Sequence, residues 1–233
     1  MWRRTVVTLG LAFLALPVAL GAQDSRPGIA VLPFDNGRSY GQDKENFEAL
    51  EKGNAGMLIS ELAQNPAARV VDRSETQRLL DEQNLGKDGR VDAATAAKIG
   101  KLVGARYMVM GNFIDFYGKF RVDARLVNVE TSEIVKVVTN DPKLQKREEL
   151  FKIIQSVAEK LMAETKLPPL PSEVSKAVKA RNVPTEALTY YSRALLYQDR
   201  GDKAKATEYY NTALEIFPEY SEAKEGLKRV SPA

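Results

Sequence analysis

Residues 107–129, YMVMGNFIDFYGKFRVDARLVNV, decide the fold of this chain. From Phe120 onward, apolar and charged side chains alternate, as in FRVDARL. A period of two over such a run predicts a β-strand with one buried and one solvated face. The more apolar residues 107–116 predict a preceding strand, and the short connection between the two runs predicts a hairpin.

Working outward from this hairpin, apolar and β-branched runs predict three further strands, at 28–34, 68–71 and 134–138. Patterned stretches predict helices at four places: over 44–64, from Ser74, from Asp92 and over 146–165. Asp35-Asn36-Gly37 has the composition of a solvated turn. The order of the elements predicts an α+β or α/β fold, in which helices pack on a mixed β-sheet.

Two helix starts carry local signals. Ser74 with Gln77 three residues later predicts a capping box, in which each side chain accepts a backbone N–H of the helix start. Asp92 is predicted to cap the next helix.

The first 22 residues resemble a signal peptide. Arg3 and Arg4 precede an uncharged apolar run over 6–20, and small residues end the segment. The run is short for a membrane-spanning helix, so cleavage is favoured over retention as an anchor. We therefore expect export to the periplasm, with no integral membrane span after cleavage. Gln23 occupies the position of a lipid-acceptor cysteine, so the chain is not expected to be lipidated there.

The residue types that the chain lacks exclude whole classes of chemistry. The sequence has no histidine and no cysteine. Ser-His-Asp and Cys-His catalysis, thiolate or imidazole metal sites and disulfides are therefore excluded. The net charge of +3 includes Arg3 and Arg4, so the mature chain is close to neutral and a nucleic-acid partner is not expected. We predict no cofactor, no metal and no catalytic residue.

Three weak candidates for chemistry have ordinary explanations. Asp123 with Glu130 or Glu133 could be an acid/base pair, but alternating charges on a strand are typical of a solvated sheet face. Asp88 and Asp92 lack the spacing of a calcium loop. Capping accounts for Ser74, so a Ser-Lys dyad is not needed to explain it.

The C-terminal residues have the spacing of a tetratricopeptide repeat, a 34-residue pair of helices. Small alanines would let the two helices touch, and tyrosines would fill the space around them. The predicted core residues are Tyr190, Ala194, Tyr197, Gly201, Ala206, Tyr210, Ala213 and Pro218. Residues 185–230 are thus predicted to be a single repeat with a capping helix. The proline-rich stretch over 167–184 is predicted to be a linker after an α/β domain at 27–166.

Three residues of the repeat are candidates for binding a partner. Tyr191 and Tyr209 fall off the consensus positions and are predicted to be exposed, and Arg193 stands where a large apolar residue is usual. A lone repeat cannot bury its faces as an array does. It must pack on the first domain, pair with another copy of the chain, or bind a partner.

Residues 29–135 resemble the CsgG family of curli secretion. The matching stretches occur in family order: IAVLPF (29–34), VDRS (71–74), LLDEQ (79–83), IGKLVGA (99–105), VMGNF (109–113) and RLVNVET (125–131). The resemblance implies an anticodon-binding-like α/β domain, also present in TolB-type and LpoB-type proteins, none of which is known as an enzyme.

The chain departs from this family in a way that bears on function. CsgG pore proteins carry two long insertions that form membrane hairpins. Here the connection over 113–120 and the segment over 139–147 leave no room for such hairpins.

We therefore predict a non-enzymatic periplasmic adaptor for envelope assembly or secretion. The expected partner is an envelope or secreted protein, and a homo-oligomer is possible. The alternatives are an outer-membrane secretion pore subunit of the curli type and, third, a carboxylate-based cell-wall hydrolase.

Overall fold

A computed structural model of the chain describes residues 24–39, 43–83, 91–140, 144–165 and 167–231. The predicted signal peptide over 1–22 and the weak calcium candidate Asp88 lie outside these residues. The strands are β1 Gly28–Val31, β2 Asp35–Asn36, β3 Arg69–Val70, β4 Tyr107–Phe116, β5 Lys119–Asn128, β6 Ile134–Thr139 and β7 Gln145–Lys146. The helices are α1 Lys44–Ala63, α2 Arg73–Glu82, α3 Ala93–Leu102, α4 Leu150–Glu164, α5 Ser172–Ala180, α6 Thr185–Asp199, α7 Lys203–Ile216 and α8 Ser221–Val230.

The strands form one mixed sheet in the order β3-β1-β4-β5-β6. β1 runs parallel to both β3 and β4, whereas β4, β5 and β6 are antiparallel neighbours. The short β7 pairs with the start of β5. The predicted α+β class, with a sheet packed by helices and a helical C-terminal region, is confirmed.

The hairpin that decides the fold is close to its prediction. Tyr117 and Gly118 alone connect β4 to β5, and both have positive φ, 53° and 81°. Two consecutive residues with positive φ are typical of the tight turn whose twist matches that of a β-hairpin.

The predicted turn at Asp35-Asn36-Gly37 is wrong for its first two residues. Asp35 and Asn36 form β2, which pairs in parallel with β4, and the backbone N–H of Gly37 donates to the carbonyl of Phe113 at 2.7 Å. Turn-forming composition is a local signal, and here a distant strand provides hydrogen bonds that override it.

Helices cover the two faces of the sheet unequally. One face, with Val122, Ala124 and Leu126 of β5 fully buried, lies under α1 and α4. The other face is covered by α2 and α3 only around β1, the start of β4 and the end of β5, where Ala30, Met108 and Val127 are fully buried. On this face, the earlier part of β5 at Arg121 and Arg125 and the outward side of β6 at Val135 and Val137 stay open to solvent.

Helix capping is confirmed at one site and corrected at another. Asp92 caps α3, since its Oδ1 accepts the N–H of Thr95 at 2.7 Å. The cap of α2 is Asp72 rather than Ser74: Asp72 Oδ1 accepts the N–H of Ser74 at 2.8 Å. Both residue types are good caps, and the cap lies two residues earlier than the pattern indicated.

The C-terminal region is all helical. α6 and α7 form an antiparallel pair, α8 packs on α7, and α5 lies within the stretch predicted as a linker. Across the described residues, every helix is too short or too polar to cross a membrane.

Candidate functional site

The predicted core of the repeat is found mostly where its spacing requires. Ala194, Ala206, Tyr210 and Ala213 are fully buried between α6, α7 and α8. Gly201 turns the chain between the helices at φ 78°, a conformation that other residues adopt only at a cost. Pro218 follows α7 and is exposed.

Two tyrosines assigned to the core are only half-buried. Tyr190 and Tyr197 each contact Tyr209, with ring centroids 6.2 and 5.4 Å apart. Arg193 lies over the rings of Tyr190 and Tyr209, and its Nε donates to Asn46 Oδ1 of α1 at 2.6 Å. Arg193 and Tyr209, two of the three partner-binding candidates, thus meet in a half-exposed aromatic group beside the start of α1.

The third candidate, Tyr191, is placed differently from its prediction. Its side chain is buried, with its ring 5.0 Å from that of Tyr220 and its hydroxyl end against Gly56 of α1. Burial raises the pKa of the Tyr191 hydroxyl above its ordinary range. The prediction of exposure is wrong because it treated the repeat alone, whereas the first domain covers this side of α6.

Helix α1 is the contact surface for the repeat. A Cβ added at Gly53 would lie 1.8 Å from Ser192 Oγ of α6, so the absence of a side chain at Gly53 is what allows the two helices to approach. Of the three arrangements that a lone repeat allows, the structure has the first: the repeat packs on the sheet domain. Helix α1 is consequently buried on two sides, by the sheet and by α6.

Charged groups also join the two domains. Arg73 at the start of α2 donates to both carboxylate oxygens of Asp199 on α6, at 2.9 and 2.7 Å, and only 6% of Arg73 is exposed. A second pair, Arg200 with Glu48 at 2.9 Å, is about half-exposed. The buried pair is held in a fixed two-bond geometry, which favours one orientation of the repeat.

Arg181, within the predicted linker, connects three parts of the chain. Its guanidinium donates to Glu61 of α1 at 3.0 Å and also to Glu222 of α8. Burial raises the pKa of Glu61. Burial alone would raise the pKa of Glu222 as well, but the hydrogen bond and charge of Arg181 outweigh it and lower that pKa. Arg181 therefore forms ion pairs with both domains, although it lies in the stretch predicted to be a linker.

The uncovered part of the sheet forms what we call the open sheet surface, defined by Arg121, Arg125, Val135 and Val137. Arg125 and Val137 are direct partners across β5 and β6, so they share a face. Val135 and Val137 are 47% and 55% exposed on β6, the edge strand. Alternation along β5 predicted a solvated face here, but the valines of β6 were not singled out.

The acid/base candidate on β5 is not assembled. Asp123 accepts from Arg121 Nε at 3.0 Å, and Glu130 and Glu133 belong to the exposed turn beyond the end of β5. About 16 Å of strand separates Asp123 from that end, at ~3.3 Å per residue. This is too far for a carboxylate pair to act on one bond.

The other two weak candidates for chemistry, the calcium site at Asp92 and the dyad at Ser74, involve residues that form hydrogen bonds at helix starts. Asp92 caps α3, and the Ser74 hydroxyl donates to Asp72 at the start of α2. Within the described residues, no three carboxylate, histidine or cysteine groups are close enough to hold a metal ion.

Sequence reasoning did not identify Glu51. Its carboxylate borders an open depression with Asn36, Asn112 and Arg125, and Oε1 accepts the N–H of Asn36 at 3.3 Å. Partial burial raises the pKa of Glu51 to about 7, and the charge of Asp35 acts in the same direction. No local pattern could have found it, because β2 and α1 come together only in the folded chain.

The raised pKa of Glu51 makes stability depend on pH. Because this pKa lies above the ordinary value of 4.5, ionisation costs more in the folded than in the unfolded chain. The free energy of unfolding should be highest below pH 4.5 and should fall by roughly 1–2 kcal/mol as the pH rises to about 7, after allowance for solvent screening. Glu51→Gln should remove this fall, measured by urea unfolding at several pH values. Glu159→Gln, on the exposed side of α4, is the control, and an unchanged slope in Glu51→Gln would contradict the assignment.

Family models match both parts of the chain. Residues 18–121 match the model described as Curli production assembly/transport component CsgG, and residues 187–220 match the tetratricopeptide repeat. The first match covers less than half of the chain and ends early in β5. Both predicted resemblances are confirmed.

Several solved structures are similar to part of the chain. The LpoB C-terminal domain from Escherichia coli is 21% identical, with 52% of this chain and 86% of that chain covered and a TM-score of 0.35. TolB from Acinetobacter baumannii is 14% identical, with 61% and 29% covered and a TM-score of 0.40. Lipoprotein GNA1162 from Neisseria meningitidis is 14% identical, with 60% and 98% covered and a TM-score of 0.38. These values are too low to transfer a functional role. No curated protein sequence matches the chain.

Proposed function

We propose that this chain, with a CsgG-type domain and one tetratricopeptide repeat, is a non-enzymatic protein-interaction module of the cell envelope. It acts in the periplasm, in envelope assembly or secretion, and its partner is an envelope or secreted protein that binds the open sheet surface. The observation that carries this proposal is the exposure of Val135 and Val137 on an edge strand of the sheet.

The chemistry of the open sheet surface supports a protein partner. An edge strand presents unpaired backbone groups, and natural proteins usually protect such an edge with charges or a cover. Here Val137 is the direct cross-strand partner of Arg125, and arginine next to exposed apolar side chains is common in protein interfaces. The near-neutral mature chain does not favour nucleic acid.

The rigid attachment of the repeat supports an adaptor of fixed shape. The Gly53 contact and the buried pair of Arg73 and Asp199 hold the repeat on the sheet domain. A partner bound to the sheet would therefore be presented in one orientation relative to α7 and α8.

The two-residue turn at Tyr117 and Gly118 favours the adaptor over the pore subunit. The family resemblance places an insertion there in pore-forming members, and this chain has none. The lack of histidine and cysteine, together with the ion pair that occupies Asp123, supports the absence of enzymatic activity.

A crosslinking experiment tests the proposed surface. We expect a photo-reactive amino acid placed at Val137 in living cells to yield one adduct of defined mass with another envelope protein. Val137→Asp should weaken that interaction at least about tenfold, because a charged group would have to be desolvated on binding. Pull-down of the crosslinked partner measures the loss.

Leu102 provides the matched control. It is 62% exposed at the end of α3 and is not one of the residues that define the open sheet surface. A photo-reactive residue at Leu102 should give no such adduct. The variant Leu102→Asp should bind the crosslinked partner as tightly as the unmodified chain does. Equal labelling at both positions would count against the open sheet surface as the binding site.

A further inference from the structure

We infer that the cleft between the sheet domain and the repeat binds an extended peptide, which adds as a strand to β3. We call it the interdomain cleft and define it by Ile59, Val70, Tyr191, Leu195, Tyr210 and Glu225. β3 and β6 are opposite edges of the sheet, so this inference does not rest on the open sheet surface or on its partner.

The interdomain cleft has the size and composition of a ligand site. Its volume is about 480 Å³, within the usual range for bound ligands. Ile59 and Val70 line it from the sheet domain, and Leu195 and two tyrosine rings line it from the repeat. Charged side chains of α8 stand at its border, so one wall is apolar and the rim is polar.

The backbone of β3 offers hydrogen bonds toward the cleft. Arg69 and Val71 donate their N–H groups to Pro27 and Ile29, at 3.1 and 2.8 Å, on the β1 side. Successive residues of a strand point their backbone groups to opposite sides, so the N–H and C=O of Val70 point away from β1. Val70 lines the cleft, and β3 has no strand on its other side among the described residues. An extended peptide could pair there.

The hydroxyl of Tyr191 is placed to bond a peptide in the cleft. Tyr191 is 5% exposed and lines the cleft, yet its hydroxyl makes no hydrogen bond to any described residue. The hydroxyl oxygen is not fully enclosed, so it is open to a ligand in the cleft. A peptide carbonyl in the cleft would accept its proton.

The charges around the cleft indicate the kind of peptide. Asp72 is paired with Arg229, and Glu222 with Arg181. Glu225, which also lines the cleft, makes no ion pair within the described part of the chain, and this leaves one negative charge unneutralised. The apolar wall and this free carboxylate fit an extended segment of another protein in which apolar and basic side chains alternate.

Fluorescent hexapeptides test this site on the purified full chain. The probe alternates valine with arginine, and one comparison peptide alternates valine with glutamate. A third peptide is the arginine probe with its two central amides N-methylated, which removes the donors that a strand pairing needs. We expect the arginine probe to bind with a Kd below about 1 mM, and the other two to bind at least tenfold more weakly.

Two variants complete the test. Tyr191→Phe removes the hydroxyl but keeps the ring, and we expect about a tenfold weaker Kd for the arginine probe. Glu225→Gln should reduce the preference for arginine over glutamate. Tyr209→Phe, outside the cleft, and Val137→Asp, on the open sheet surface, should bind the probe normally. Equal binding of the N-methylated peptide, an unchanged Kd in Tyr191→Phe, or no binding of the arginine probe would each overturn the inference.

Discussion

Gly53→Ala should destabilise the chain by about 2–4 kcal/mol, although alanine is a better helix former than glycine by about 1 kcal/mol. The new Cβ would lie 1.8 Å from Ser192 Oγ and 2.6 Å from Ser192 Cβ, so α1 and α6 would have to separate. Both domains meet on α1, and the loss should therefore appear in their common unfolding, measured by urea denaturation followed by circular dichroism.

A rescue variant makes this prediction specific. Ser192→Gly removes the atoms that the new methyl group would strike, so the double variant Gly53→Ala with Ser192→Gly should recover most of the lost stability. The two substitutions would then be strongly non-additive. If Gly53→Ala unfolds at the same urea concentration as the unmodified chain, the close approach of α1 and α6 is not present in solution.

Arg73→Met should lower the free energy of unfolding by about 3 kcal/mol or more, because it leaves the carboxylate of Asp199 buried without its partner. Lys52, whose Nζ lies 4.0 Å from Asp199, would compensate in part, so we expect the lower end of the usual range. The free energy of unfolding from urea titration measures the effect. Replacing both members, by Arg73→Met with Asp199→Leu, should restore much of the loss.

Arg200 and Glu48 give a matched comparison across the same domain boundary. Their side chains are 44% and 49% exposed, so solvent screens the pair. Arg200→Met should therefore cost less than about 1 kcal/mol. Equal losses in the two arginine variants would mean that the depth of burial does not govern these contacts.

The elements that sequence reasoning predicted well depend on neighbours along the chain. β4 and β5 were predicted to within one residue, since alternation and a two-residue turn define a hairpin locally. Helix and strand periods likewise located α1 and α4. In the repeat, the burial of the alanines at 194, 206 and 213 follows from their spacing within the 34-residue unit, which depends only on that unit.

The features that were missed depend on contacts between distant segments. Tyr191 is buried by α1, which precedes it by more than a hundred residues. Asp35 joins a strand because β4 lies beside it, and Glu51 acquires its raised pKa where β2 and α1 meet. Of the candidates for binding a partner, Arg193 and Tyr209 are half-exposed. No pattern in the sequence indicated that Val135 and Val137 of β6 would be exposed.

The position of α1 also sets an order of events in folding. This helix is made early, but the residues that cover its outer side, in α6, come more than a hundred positions later. Until then Gly53, Gly56 and the apolar residues beside them stay exposed on an incomplete domain, a state in which chains tend to aggregate. The last helices to appear therefore complete the first domain.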